Sequence, residues 1–308
     1  MSETNVTTNK EHKDRLFNFI FGSEEHKDWT LQLYNAVNGS DYKDESQISF
    51  NTLQNYLFVS MRNDTSFIIT DTMNLYEHQA TYNPNMPLRM LRYVSNLYSK
   101  YVKENSLDVF GEAQLKLPVP KLVVFYNGEK KVEDEKFLYL SDSFEEGLKE
   151  KSDIEVKVRM LNINYGHNSC IINTCKPLRE YAWFIAKIRA YKKEYGIEKA
   201  ASMAVNEMPE EFEIKKFLKN NMAEVIDMML AEDQELDALE LIAKANEKKG
   251  IKQGIEQGIG QGIDITIKNM INSGSFTDEQ IQTATGKDSN YIKGIRESIS
   301  GDKTDSNK

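Results

Sequence analysis

The sequence is poor in cysteine and contains no long apolar run, and each shortage excludes a class of protein. Two cysteines among 308 residues cannot supply the disulfide framework of a small secreted domain, so we interpret Cys170 and Cys175 as small buried hydrophobes. No apolar run approaches the length that spans a bilayer, and residues 1–14 are polar and charged, without the apolar stretch of a signal peptide. We therefore expect a cytoplasmic protein with no membrane partner.

Positive charge is also scarce, because 39 Lys and Arg residues stand against 48 Asp and Glu residues and leave a net charge of −9. A protein that coats nucleic acid through bulk electrostatics needs clustered Lys and Arg, so that class is disfavoured. A nuclease is not excluded, because the overall sum can conceal a local basic cleft. The candidates for such a cleft, which otherwise belong to a solvated surface, are Arg89, Arg92, Lys116, Lys121, Lys130 and Lys131.

The apolar content is that of a globular protein, with 40% hydrophobic and 10% aromatic residues. Runs rich in β-branched residues at 121–126 and 154–163 predict strands. Apolar residues at helical spacing predict helices over 88–101 and 178–191. Because strands and helices alternate after an opening hairpin, the predicted fold class is α/β, with a mixed sheet flanked by helices.

The opening hairpin is predicted from two β-branched or aromatic runs, 63–69 and 74–80, which are joined by turn-forming residues at 71–74. Antiparallel strands place residues of the two runs directly opposite each other. The hairpin therefore brings Asp64 on the first strand near Glu77 on the second.

The second strand of the hairpin has two chemically different faces. Successive side chains of a strand point to opposite sides, so Glu77 and Gln79 share one face while Tyr76 and His78 share the other. Asp64 and Glu77 would repel each other as bare charges unless a cation joins them, and hard oxygen ligands suit magnesium or manganese. The alternative is that Asp64 caps a strand and that Glu77 and Gln79 lie on a solvated face.

A broader pattern surrounds this hairpin. An aspartate, then Glu-x-Gln on a hairpin, then a helix that opens with 84–87 and carries Arg89 and Tyr93, resembles the PD-(D/E)XK nuclease superfamily. The resemblance covers roughly the first two thirds of the chain. The runs that resemble the Rpn family of recombination-promoting nucleases and putative transposases are 75–81, 84–93 and 118–128.

The resemblance implies a restriction-endonuclease-like core and a DNA endonuclease that depends on Mg²⁺ or Mn²⁺ and promotes recombination by cleaving phosphodiester bonds. It implies that Asp64 and Glu77 bind the metal, that His78 offers its backbone carbonyl to it, and that Gln79 orients the attacking water. Arg89 and Tyr93 lie four residues apart on one helix face. If that face looks back at the hairpin, Arg89 contacts a phosphate and Tyr93 orders the site. Otherwise they are an interfacial aromatic and its cation.

The resemblance also implies an acidic residue on the first helix near the metal. Asp14 is the candidate for that position, with Glu24 and Glu25 less favoured. The alternative is that Asp14 only favours the dipole of the helix that follows it.

The chain departs from the superfamily pattern at two positions. Asn63 stands where the superfamily has proline, which shapes the backbone and supplies no ligand. Gln79 stands where the superfamily commonly has lysine, although the Rpn resemblance itself implies glutamine. An amide can orient and hydrogen-bond, whereas an ammonium can also stabilise a developing negative charge. The metal would then carry more of the chemistry.

The C-terminal third is helical in pattern and contains a four-residue repeat. Glycines recur at 250, 254, 258 and 262, each followed by isoleucine. On a helix this period produces a slowly drifting stripe, and each interior glycine costs roughly 1 kcal/mol relative to alanine. Close helix–helix contact would offset that cost, which predicts a homo-oligomer through residues 250–263. The alternative is a low-complexity linker.

Beyond the repeat, 277–280 is a capping-box sequence, and the apolar spacing predicts two short helices followed by a disordered tail at 301–308. The helical pair resembles a small helix-turn-helix, but it carries little positive charge, which favours an interaction module over DNA reading.

We therefore predict three regions: residues 1–197 as the nuclease-like domain, 198–247 as an accessory helical region, and 248–308 as the repeat with a small helical tail. The predicted function is a metal-dependent DNA endonuclease. The competing hypothesis is a catalytically lapsed module of the same fold that binds DNA or protein and oligomerises through its C-terminal repeat.

Overall fold

The structure, a computed structural model, describes residues 16–50 and 64–305, and for Asp64 and residues 300–305 it describes the backbone alone. The chain divides into two compact units between Leu236 and Asp237. Within the described residues, no helix is both long enough and apolar enough to cross a membrane. The domain boundaries expected at 197 and 247 stay predictions.

A mixed sheet organises the first unit. Its strands are β1 (Ile48–Phe50), β2 (Asp64–Ile69), β3 (Thr72–Gln79), β4 (Val119–Tyr126), β5 (Glu135–Tyr139) and β6 (Lys157–Asn162). They lie in the order β1-β2-β3-β4-β6-β5. Strand β2 is antiparallel to both of its neighbours, β1 and β3, while β3, β4 and β6 are parallel and β5 runs antiparallel to β6. The predicted α/β class with a mixed sheet is confirmed.

The helices of the first unit lie before, between and after the strands in sequence. They are α1 (Leu16–Phe21), α2 (Lys27–Asn38), α3 (Met86–Glu104), α4 (Ser169–Thr174), α5 (Lys176–Tyr195), α6 (Ile197–Glu207) and α7 (Glu213–Asn220). The next helix, α8 (Met222–Ser273), contributes residues to both units. The second unit adds α9 (Asp278–Thr285) and α10 (Ser289–Asp305).

The sheet has a separate core on each face. On one face, buried residues such as Tyr76 and Phe125 pack with α1, α2 and α5. On the other face, Leu75 and Val124 pack with α3. Both faces of β3 and β4 are covered, and β4 is accordingly apolar apart from Lys121. Strand β3 instead carries four buried polar residues, Asn74, Glu77, His78 and Gln79.

The predicted hairpin is present, but its turn lies elsewhere than expected. Ile69 pairs with Thr72, so the turn consists of Thr70 and Asp71 alone, and Thr70 has a φ of 53°. A tight turn of this kind suits the right-handed twist of the flanking strands. The prediction of a turn at 71–74 was wrong because residues from Thr72 onwards join the strand ladder.

The two cysteines have different surroundings. Cys175 is buried, and burial raises the pKa of its thiol to about 12. Cys170 is exposed at the start of α4, so its interpretation as a buried hydrophobe was wrong. Alternation along a strand or helix could not reveal this difference, because α4 was not predicted.

The second unit has a small core of its own, in which Ile267, Ile281 and Ile292 are fully buried. The predicted capping box is confirmed. Gln280 donates its backbone N–H to the Thr277 hydroxyl, and the Thr277 N–H donates to the Gln280 side chain. The tail predicted from residue 301 is helical up to Asp305, because α10 continues the helix that begins at Ser289.

The glycine repeat is helical over its whole length and forms part of α8. A side chain added at any of glycines 250, 254, 258 and 262 would meet no described atom within 4 Å. The adjacent isoleucines Ile251, Ile255 and Ile259 are 58%, 57% and 59% exposed. The stripe is therefore open to solvent from Gly250 to Ile259, whereas the fourth isoleucine, Ile263, packs against the small core of the second unit.

Candidate functional site

The candidate site lies where the parallel strands end. Parallel strands present their carboxyl ends at the same edge of a sheet, and in α/β folds ligands bind outside that edge. Here β3 ends at Gln79 and β4 at Tyr126, and the N–H of Asn127 donates to the Gln79 carbonyl at 2.9 Å. Gly128 lies against the backbone of Ala80, and a Cβ at that position would collide with the Ala80 carbonyl oxygen.

The predicted division of β3 into two faces is confirmed. The His78 ring stacks on Phe17 with 5.3 Å between ring centroids, and its Nε2 lies 3.0 Å from the Tyr181 hydroxyl, on the face covered by α1 and α5. Glu77 and Gln79 face α3 instead. Both are buried, at 2% and 4% exposure, so the alternative of a solvated face was wrong.

Glu77 is held by two side chains on the α3 face. The Arg89 guanidinium forms an ion pair with the Glu77 carboxylate, with 2.6 Å between Nη2 and Oε1. The Gln79 amide Nε2 lies 3.4 Å from the same oxygen and also contacts the Met86 sulfur. A charged hydrogen bond of this kind offsets part of the cost of burying a carboxylate.

Helix α3 places Arg89 there because of its apolar spacing. Met86, Met90, Tyr93 and Leu97 are buried on the side that faces the sheet. Arg89 lies next to this stripe and donates to the Tyr93 hydroxyl, at 3.0 Å from Nη2 and 3.3 Å from Nε. The face of α3 that carries Arg89 and Tyr93 therefore looks back at the hairpin, which is the first of the two arrangements considered from the sequence.

Asp64 is the residue directly opposite Glu77 in the antiparallel ladder of β2 and β3. The sequence predicted only that the hairpin brings Asp64 near Glu77, and the observed register places the two residues opposite each other. The side chain of Asp64 lies outside the described part of the structure, as do Asp14 and Asn63 entirely. Of the less favoured candidates on the first helical segment, Glu24 forms an exposed ion pair with Lys27.

The oxygen atoms on the α3 face suit a hard cation. Gln79 Oε1 is buried and accepts no hydrogen bond from any described residue. This oxygen lies on the same face of β3 as the Glu77 carboxylate. Glu77, in turn, is the residue opposite Asp64. Magnesium and manganese prefer carboxylate and amide oxygens of this kind. Among the described side chains, no three His, Cys, Asp or Glu residues lie close enough together to hold a metal ion. A metal beside Glu77 would therefore need further ligands, such as the Asp64 carboxylate, the Gln79 amide oxygen, a backbone carbonyl or water.

Sequence reasoning did not anticipate the direct contact between Arg89 and Glu77. The spacing of Arg89 and Tyr93 indicated a shared face, but the partner of that face depends on how α3 crosses the sheet. It also did not predict the contact between the Met86 sulfur and the Gln79 amide. The backbone-carbonyl role expected for His78 stays a prediction.

Comparisons of this chain with protein-family models, with curated proteins and with solved structures found no match.

Proposed function

We propose that this protein is a metal-dependent DNA endonuclease of the PD-(D/E)XK type, similar to the Rpn family. The observation that carries the proposal is the buried Glu77–Gln79 pair at the carboxyl edge of the sheet, with Asp64 opposite Glu77 and Arg89 beside it. Burying a carboxylate is costly, so a site that gathers acid, amide and guanidinium groups in one place suits the handling of phosphate and cation.

Asp64, Glu77 and the carbonyl oxygen of Gln79 would hold the metal, together with the backbone carbonyl of His78. A bound magnesium ion polarises a phosphodiester and lowers the pKa of a bound water. The Gln79 oxygen supports this donor set, because it is buried and accepts no hydrogen bond from the described residues, and a buried polar atom usually has a partner.

The side chains of the chain itself supply binding and orientation. Arg89 offers a planar set of donors that fits a phosphate, and its hydrogen bonds to the Tyr93 hydroxyl hold the guanidinium in place. In the structure this guanidinium neutralises Glu77. In the proposed enzyme Glu77 would help to hold the cation, and the Arg89 guanidinium would then be available to a phosphate oxygen. Gln79 positions the attacking water through its amide.

The ion pair also favours a second candidate function, a nuclease-like fold that binds DNA or a protein partner without turnover. In that case Arg89 replaces the metal permanently and Glu77 serves only to anchor α3. The two functions differ in whether Mg²⁺ changes the DNA that the protein binds.

The test is cleavage of supercoiled plasmid by the full chain, with Mg²⁺ and with a chelator. We expect nicking only with Mg²⁺ in the parent, and none in Asp64→Ala. The matched control is Asp71→Ala, which removes an exposed aspartate from the turn of the same hairpin and should cleave at the parental rate. Parental cleavage by a folded Asp64→Ala protein, or none by the parent, would refute the proposed function.

We also infer that the protein self-associates through the glycine repeat of α8. The exposed isoleucines and the open glycine stripe leave apolar surface without a partner in the described chain. Glycines at these positions allow close approach of a second helix. Light scattering should show a larger mass for the full chain than for a truncation that ends before Lys248, after correction for length. Protomer masses for both would show that the stripe makes no such contact.

A further inference from the structure

We propose that Lys130 and Lys136, gathered on the ring of Tyr82, bind the sugar–phosphate backbone of a DNA strand beside the candidate site. The inference rests on the proposed function, because it extends the site that would hold the scissile phosphate. The three residues come from three separate connections or strands. Tyr82 follows β3, Lys130 follows β4 and Lys136 lies in β5.

The register of the sheet places Lys136 in the same row as Glu77. Glu77 is opposite Val124, Val124 is opposite Met160, and Met160 is opposite Lys136. Residues paired in this way share one face of a sheet, and neighbouring strands lie about 4.8 Å apart. Lys136 is therefore on the α3 face, about 14 Å from Glu77 across three strand spacings.

Tyr82 joins the two lysines at this edge. The ammonium nitrogen of Lys130 lies 4.8 Å from the centroid of the Tyr82 ring, and that of Lys136 lies 5.6 Å from it. Ammonium groups at this distance are attracted by the face of the ring. The connection that carries Lys130 is tied to the site itself, because the hydroxyl of Tyr126 donates to the Lys130 carbonyl at 2.8 Å. Tyr126 in turn is the partner of Gln79 in the ladder.

The acidic residues nearest to Lys136 in the chain are already engaged. Asp134 lies 2.7 Å from the His167 ring nitrogen, and Glu135 forms two hydrogen bonds of 2.9 Å with Arg159. The hydrogen bonds to His167 and Arg159 lower the pKa of the Asp134 and Glu135 carboxyls, respectively. Both lysines are exposed, so their charge is available to a ligand in solvent.

A DNA strand fits the spacing of these groups. A strand of a duplex advances about 3.4 Å per phosphate, so the 14 Å between Glu77 and Lys136 corresponds to about four nucleotides. Lysines recognise phosphates as point charges and carry no sequence information. The pair would therefore hold the strand in register and leave the choice of sequence to other contacts.

The structure separates these lysines from others in the same sequence region. Lys121 is opposite Asn74 near the amino end of β4, and Lys116 precedes that strand. They lie at the other end of the strands from Gln79. The lysines that the sequence offered for one basic cleft therefore lie at different ends of the strands. Lys130 lies at the edge that carries the candidate site, and Lys116 and Lys121 do not.

The experiment is a fluorescence-anisotropy titration of the full chain with a short labelled DNA duplex, without Mg²⁺, over a series of salt concentrations. The test variant is Lys130→Gln with Lys136→Gln, and the matched control is Lys116→Gln with Lys121→Gln, which removes the same charge. We expect the test variant to bind more weakly and its slope of log affinity against log salt to be shallower by about two. The control should follow the parent. Tyr82→Leu, which keeps both charges but removes their support, should weaken binding by less than the test variant.

An unchanged slope in Lys130→Gln with Lys136→Gln, or an equal change in the control, would overturn the inference, as would absence of DNA binding by the parent. The outcome is separable from that of the proposed function. A parent that binds through these lysines but never cuts with Mg²⁺ refutes the nuclease and keeps the inference. A parent that cuts with Mg²⁺, while Lys130→Gln with Lys136→Gln binds DNA as the parent does, keeps the nuclease and refutes the inference.

Discussion

Two glutamates are buried in the described part of the molecule, and they are held in different ways. Glu77 lies on the α3 face of the sheet, at 2% exposure, with the Arg89 guanidinium and the Gln79 amide on its carboxylate. Glu180 lies on α5, at 1% exposure, and accepts the N–H of Ile214 at 3.0 Å.

The partners explain what each acid does. Glu180 satisfies N–H groups at the start of α7, which otherwise lack acceptors, and burial raises the pKa of its carboxyl while the Ile214 and Glu213 N–H groups oppose that shift. Glu77 is held by the Arg89 guanidinium, which a phosphate could also attract, beside the Gln79 amide oxygen, which accepts no hydrogen bond from the described residues. Two equally buried glutamates therefore differ in their partners, and only those of Glu77 suit the proposed site.

The largest expected effect is on activity. Under the proposed nuclease function, Glu77→Gln should lower plasmid cleavage at least about 100-fold, because the proposed metal ligand loses its charge while the packing volume is kept. Glu180→Gln is the matched control, and it should cleave at the parental rate. Cleavage rates with Mg²⁺ decide the comparison, with circular dichroism to verify folding. Equal losses in the two variants would mean that the two glutamates do not differ in function.

The next effect is on stability. Glu180→Ala should lower the free energy of unfolding by about 1–3 kcal/mol, because buried N–H groups of α7 lose their acceptor. Glu180→Gln should lose less, since its amide oxygen still accepts the Ile214 N–H. Urea unfolding of the two variants and the parent measures this. A stable Glu180→Ala protein would show that α7 does not depend on this cap.

Removal of the Arg89 guanidinium, which Glu77 has as a partner and Glu180 does not, should change metal binding and cleavage in opposite directions. In Arg89→Gln, Mn²⁺ should bind about tenfold more tightly, because the guanidinium no longer competes for Glu77, while cleavage falls because a phosphate contact is lost. Titration calorimetry with Mn²⁺ measures the first effect. If neither the parent nor Arg89→Gln binds Mn²⁺, the lapsed binding module becomes the better account. Arg92→Gln, which removes an exposed arginine one turn along α3, is the control and should match the parent.

A smaller change is expected at Gln79. Gln79→Ala should lower cleavage about tenfold, because the water and the metal lose one orienting group. Gln79→Lys restores the residue that is commoner in the superfamily and should keep or raise activity. Parental cleavage by Gln79→Ala would count against the role of this residue.

The smallest effect concerns pH. Because burial raises the folded-state pKa of Glu180 above its unfolded value, its neutral form stabilises the fold. That contribution is fully present below the unfolded pKa and is lost as the pH rises through the folded pKa. The parent should therefore lose stability relative to Glu180→Gln as the pH rises from the unfolded pKa of a glutamate. Urea unfolding at several pH values tests this, and parallel curves for the two proteins would contradict it.

Part of the candidate site could be predicted from local rules. Strand alternation separated Glu77 and Gln79 from Tyr76 and His78, and the predicted hairpin brought Asp64 near Glu77. The exact register was not predicted, because the turn was assigned wrongly. These features depend on a period of two and on neighbours in sequence, which the chain alone specifies.

Other parts could not be predicted. Strand β5 carries mostly exposed residues, so its pattern gave no signal, and with it the position of Lys136 was missed. Glu180 lies within a helix whose apolar spacing predicts only packing, and its role as a cap depends on α7, which begins 33 residues later at Glu213. Contacts between residues so far apart in sequence depend on the order of the strands and on how helices cross them.

The sequence by itself predicted the mixed α/β class, the two faces of β3, the proximity of Asp64 and Glu77 and the helical pattern of the C-terminal third, because these follow from backbone periodicity and hydrogen bonding between near neighbours. Only the tertiary structure decided that Arg89 neutralises Glu77, that Gln79 Oε1 accepts no hydrogen bond from the described residues and that Lys130 and Lys136 meet on Tyr82. The physical reason is that charge and hydrogen-bond partners act over a few ångströms in space, whatever their separation along the chain.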